Sequence, residues 1–133
     1  MVGQDVRPAM AFVRRHGFAR LVCVGASLGC TACAEAARED GVVGFGTISS
    51  PQRGTGISVT SASFQDTIYP KLFIACVKEE TAVKASQAMC AAAPEPKELL
   101  IYPGCGAHGL GILRSEYGEN LNQRLFDFVE RLK

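Results

Sequence analysis

Leu21-Val22-Cys23-Val24-Gly25-Ala26-Ser27-Leu28-Gly29-Cys30-Thr31-Ala32-Cys33 is the stretch on which the reading of this chain turns. Residues 21–24 form a short apolar run of strand type, and the small residues of 30–37 continue as a helix to about Arg38, with Gly41 as the break. Between them stands a serine with a glycine two residues away on each side. That order of strand, Gly-x-Ser-x-Gly and helix is the pattern of a nucleophile elbow, in which the chain reverses sharply enough to lift a hydroxyl clear of a sheet. Side chains at 25 and 29 are expected to collide in such a reversal, so hydrogen is favoured at both Gly25 and Gly29. Ser27 is the candidate nucleophile.

Upstream, Asp5 is expected to cap a helix whose apolar positions Val6, Met10 and Val13 share one face, with Pro8 tolerated in the first turn and Gly17 as the stop. Arg7, Arg14, Arg15 and His16 read as solvated. The run 21–24 lacks alternation, which suits a parallel strand covered on both faces. Downstream, 42–48 reads as a second strand, with Gly44 and Gly46 open to close approach by a helix, and 49–56 as loop. A short helix over 63–68, a third strand over 72–77, a helix over 81–93 and a fourth strand over 99–102 follow. The loop from Pro103 to Gly109 carries His108, and the last helix has Leu121, Leu125, Phe128 and Leu132 on one stripe. Strand and helix thus alternate four times, which predicts one α/β domain over 1–133: a mostly parallel sheet of about four strands with flanking helices and right-handed crossovers.

The 133 residues are 47% hydrophobic and 20% charged, ordinary for a folded domain, and the net charge is +1. No basic stripe offers itself to nucleic acid or to an anionic membrane, so binding chemistry is expected in a pocket. No apolar run reaches the ~20 residues that span a bilayer, and Asp5, Arg7 and Pro8 interrupt the amino-terminal stretch where a signal peptide would be apolar; a cytoplasmic location is the expectation. The six cysteines, at 23, 30, 33, 76, 90 and 105, fall mostly in apolar patterns and read as reduced core residues. Cys30-Thr31-Ala32-Cys33 also has the spacing and setting of a redox pair, a reading weaker than two small residues packing on a sheet. No metal site or cofactor is expected, since two cysteines do not complete a zinc site and His16 is distant.

Residues that do chemistry in an open parallel sheet gather just past the carboxyl ends of the strands. Ser27 follows the first predicted strand, Glu79 and Glu80 the third, and His108 the fourth. A serine hydroxyl needs a base to become a useful nucleophile, and an imidazole oriented by a carboxylate serves near neutral pH. Together, 21–29, Leu72-Phe73-Ile74-Ala75, Tyr102-Pro103-Gly104 and Ala107-His108-Gly109 resemble the carboxyl-terminal half of an α/β-hydrolase of the esterase or dienelactone-hydrolase kind. The resemblance runs over nearly the whole chain. It implies Ser27 as nucleophile, His108 as base, Glu79 as acid with Glu80 as the neighbour that could serve instead, and the backbone N–H of Leu28 as an oxyanion donor. The implied activity is that of a serine hydrolase on a small ester or related acyl substrate.

The family's amino-terminal strands, and the loop that donates the second oxyanion hydrogen, have no counterpart here. Two consequences are expected. One is an alternative in which the chain is a catalytically weak or inactive truncated module acting as a subunit or binding domain. The other is that the edge of 21–24, left without a covalent partner, pairs with a second copy as a homodimer or with a separate amino-terminal half.

Overall fold

Strands β1 (Leu21–Ala26), β2 (Val42–Ile48), β3 (Lys71–Cys76) and β4 (Lys97–Tyr102) form one all-parallel sheet in the order β1-β2-β3-β4. The computed structural model describes residues 5–51 and 61–133. Helices α1 (Val6–Arg15), α2 (Leu28–Glu35), α3 (Glu80–Ala92) and α4 (Gly118–Glu130) flank the sheet, with 3-10 turns at Ser61–Phe64 and Gly109–Arg114.

Strand periodicity sorts the core into two layers. On one side Cys23, Phe45 and Phe73 meet Ala34, Ala37, Phe64 and Met89. There the ring of Phe64 stands edge-on to Phe45 at 4.9 Å and to Phe73 at 5.9 Å, the offset geometry that aromatic quadrupoles favour. On the other side Ile48, Leu72 and Ile74 pack with Leu121, Phe128 and Leu132, so the stripe of the last helix covers the sheet as its spacing predicts. The helix comes close at Gly44, where a Cβ would lie 2.3 Å from Leu132 Cδ1. α1 buries Met10 against Leu21 and Ala36, with Val6 and Val13 beside it, and ends before Gly17 at φ +91°.

Several expectations are corrected. β1 is parallel, but as the edge strand it is not covered on both faces: Val24 is 38% exposed on the side where Val22 still packs. Asp5 occupies the cap position of α1, yet its side chain makes no capping hydrogen bond. The segment 63–68 is a 3-10 turn at Ser61–Phe64 rather than a helix. In the predicted loop 49–56, residues 52–56 lie outside the described residues. Strand β3 starts one residue early on Lys71, whose buried ammonium donates to the carbonyls of Tyr69 (2.8 Å), Pro94 (3.2 Å) and Thr67 (3.3 Å). Burial pulls the pKa of that amine down.

The six cysteines are not all thiols. Cys76 at the end of β3 and Cys105 in the loop after β4 are joined by a disulfide, with Cα atoms 4.9 Å apart. The reason is topological: adjacent parallel strands end side by side, with Cys76 in register with Tyr102, and bring the two residues within bridging reach. Cys23, Cys30, Cys33 and Cys90 are free. No helix among the described residues is long and apolar enough to cross a membrane.

Candidate active site

The turn between β1 and α2 forces Ser27 to φ +49°, ψ −121°, a conformation that L-residues seldom adopt. Its N–H donates to the Ile48 carbonyl (2.9 Å), which fastens the turn to the end of β2, and its own carbonyl accepts from Cys30 N–H (2.9 Å). The two flanking glycines are not equivalent. A Cβ on Gly25 would sit 2.3 Å from the Gly29 carbonyl oxygen, whereas a Cβ on Gly29 would meet nothing within 4 Å. The steric expectation therefore applies to Gly25 and is corrected at Gly29, because the new helix carries position 29 outward. Cys30 is fully buried beneath the turn, and its thiol donates to the Gly25 carbonyl at 3.0 Å.

His108 lies in the loop after β4, just ahead of the turn at Gly109–Arg114. Its Nε2 is 2.7 Å from Ser27 Oγ and its Nδ1 is 2.5 Å from Glu79 Oε1. Three side chains separated by 81 and 29 residues along the chain thus meet at the carboxyl-terminal rim of the sheet. The imidazole is 60% exposed, while the carboxylate behind it is 11% exposed. An exposed ring backed by a shielded carboxylate can take a proton from the hydroxyl on one side while its other N–H stays held.

Glu79 immediately precedes α3 and turns its side chain back toward the histidine loop instead of capping the helix. Glu80 is the first residue of the helix, is exposed, and stands at the rim. The imidazole is bonded to Glu79. Leu28 opens α2, so its N–H is one of the first-turn amides without an acceptor inside the helix, beside the Ser27 hydroxyl. An open cleft of about 550 Å³ runs along the acid side of the site, walled by residues that include Pro51, Lys78, Glu80, Thr81 and His108.

Two features here have no counterpart in the sequence reading. Ser49, at the end of β2, donates its hydroxyl hydrogen to Glu79 Oε2 (2.6 Å) and accepts from Gly109 N–H (2.8 Å). The Cys76–Cys105 bridge joins the segments that lead to Glu79 and His108, each cysteine three residues ahead. A serine pair before proline reads as loop, and only a register-level alignment of the strand ends would have singled out either feature. The redox alternative at Cys30 and Cys33 fails on electrostatics: burial pushes Cys30 up to about 11 and Cys33 up to about 12, opposite to the depressed thiol that exchange chemistry needs.

Comparison with solved structures returns this architecture. The crystal structure of MGS-MChE2, an α/β-hydrolase enzyme from the metagenome of sediments from the lagoon of Mar Chica, Morocco, superposes with a TM-score of 0.77 over 98% of this chain and 70% of that one, at 16% identity. No family model and no curated protein matches the sequence. The fold is α/β-hydrolase-like, represented by a four-stranded, all-parallel sheet with its flanking helices.

Proposed function

We propose that this protein is a serine hydrolase of esterase type, acting on a small ester or related acyl substrate. The observation that carries the reading is the pair of contacts on one imidazole, Nε2 to Ser27 Oγ at 2.7 Å and Nδ1 to Glu79 Oε1 at 2.5 Å. His108 takes the hydroxyl proton as Ser27 Oγ bonds to the acyl carbon, and Leu28 N–H donates to the oxygen that gains charge. Glu79 holds the Nδ1–H and stabilises the imidazolium. The proton then passes from Nε2 to the alcohol as its bond to the acyl carbon breaks; water, deprotonated by the same imidazole, attacks the acyl carbon, and the proton returns from Nε2 to Ser27 Oγ as the acid leaves. Hydrolysis of p-nitrophenyl acetate tests the reading: turnover abolished in Ser27→Ala supports it, and equal turnover in that variant ends it.

One observation favours a second reading, a weak or inactive module that serves as a subunit. Among the described residues Leu28 N–H is the single oxyanion donor at the site, and one lost donor of this kind costs about 10²–10³ in rate. On that reading the outer edge of β1, the terminal strand on which Val24 is exposed, pairs with a second copy of the chain. A folded protein without turnover that scatters light as a dimer fits it, and a monomer at micromolar concentration does not. The cytoplasmic location stays part of the proposal; a Cys76–Cys105 bridge that survives thiol blocking at cell lysis would count against it.

A further inference from the structure

We propose that Ser49 is a positioning residue for the site, a hydroxyl clamp that sets the distance between the acid and the histidine loop; this rests on the serine-hydrolase reading. Ser49 is fully buried, and its hydroxyl bonds to Glu79 and to the backbone at Gly109 rather than to Ser27 or the imidazole. Its one hydrogen goes to Glu79 Oε2, the carboxylate oxygen facing away from His108, and its lone pair takes the N–H of Gly109, the residue after His108. A closed ring results: imidazole to carboxylate, carboxylate to hydroxyl, hydroxyl to the backbone beside the imidazole.

With Oε2 pinned, the carboxylate cannot rotate about its terminal torsion, and Oε1 stays aimed at Nδ1. With Gly109 N–H pinned, the loop cannot carry the ring away from Ser27. One buried group therefore restricts the two motions that most easily open the network.

The backbone around Ser49 points the same way. Ser49 sits at φ +53°, an uncommon conformation for a residue with a side chain, while its N–H donates to the Ile74 carbonyl at 2.8 Å and extends the ladder between β2 and β3. The ladder fixes the residue to the two central strands, and the left-handed turn directs its hydroxyl to the rim. Ser50, equally buried, lines the same cleft but turns its hydroxyl toward Met89 Sδ, 3.8 Å away.

The test uses Ser49→Ala together with Ser49→Gly, the second chosen because glycine adopts φ +53° without strain. In both, kcat for p-nitrophenyl acetate is expected to fall roughly 10- to 100-fold while KM stays within about twofold, the scale at which small displacements of reacting groups act. The far-downfield proton resonance of His108 Nδ1–H is expected to weaken or vanish. Parent kcat with the parent resonance in a folded Ser49→Gly protein overturns the proposal. Amide exchange in the parent protein decides independently of the variants: a protected Gly109 N–H supports the clamp, and exchange as fast as an unstructured amide overturns it. A parent without turnover but with the downfield resonance and a protected Gly109 refutes the hydrolase reading and leaves the clamp standing.

Discussion

Replacing Cys76 and Cys105 together by alanine removes a cross-link whose contribution follows from chain statistics. The bridge closes a segment of 29 residues, for which the loop-entropy relation gives about 12 cal/mol/K, or about 3.6 kcal/mol at 25 °C. For a chain of this length that corresponds to a drop in melting temperature of about 10–15 °C. The lost constraint lies between the lead-in to Glu79 and the lead-in to His108, so the rate at which Ser27 reacts with a fluorophosphonate should fall in the same variant at a temperature where it is still folded. Protein purified without reductant, melted by calorimetry and labelled at 20 °C, supplies both numbers. A double variant that melts within 2 °C of the parent, in preparations whose bridge has been verified by mass, refutes the entropic reasoning; unchanged labelling refutes the claim that the bridge holds the site.

Gly25→Ala should prevent folding or cost several kcal/mol in urea titration, because its methyl would overlap the Gly29 carbonyl, whereas Gly29→Ala should be neutral or stabilise by up to about 1 kcal/mol as a helix position gains alanine. Glu79→Gln should lower kcat by about 10²–10⁴, the scale seen when an acid partner of a histidine is neutralised, while Glu80→Gln changes kcat less than threefold; equal losses in the two would remove Glu79 from its role. Thiol titration in denaturant without reductant should count four groups out of six cysteines. In native protein at neutral pH, Cys30 and Cys33 should react slowly, since burial holds both as protonated thiols; fast reaction at either contradicts their packing.

The parts of this fold that were legible in the sequence are those written locally. Short apolar runs marked β1 to β4, although β4 begins two residues earlier, on the charged Lys97 and Glu98, and the stripe of Leu121, Leu125, Phe128 and Leu132 marked the helix that covers β2 and β3. The run of Leu21 to Val24 nevertheless misled on coverage, because periodicity reports what a strand can bury and not whether it lies at an edge. Lys71 hid the first residue of β3, since a lysine reads as solvent-facing until three carbonyls from 67, 69 and 94 are seen to surround it.

At the site, chain order put Ser27, Glu79 and His108 just past the ends of the first, third and fourth strands, which is why their meeting could be anticipated. The choice between Glu79 and Glu80 could not be read there. It depends on α3 starting at 80, which leaves residue 79 in the preceding turn with its side chain free to reach back. Ser49 and the Cys76–Cys105 bridge were illegible for a related reason. Each joins segments distant in sequence through the register of parallel strand ends, and no local pattern encodes that register.

The central claim is that the Ser27 hydroxyl is activated by the His108 imidazole. Covalent labelling with a fluorophosphonate, mapped by peptide mass spectrometry in the parent, His108→Ala and Ser27→Ala proteins, measures this directly. The account predicts a single adduct on Ser27 that slows by at least about 10²-fold without the imidazole and is absent without the hydroxyl. An adduct on another residue, or labelling of Ser27 at the parent rate in His108→Ala, would contradict it.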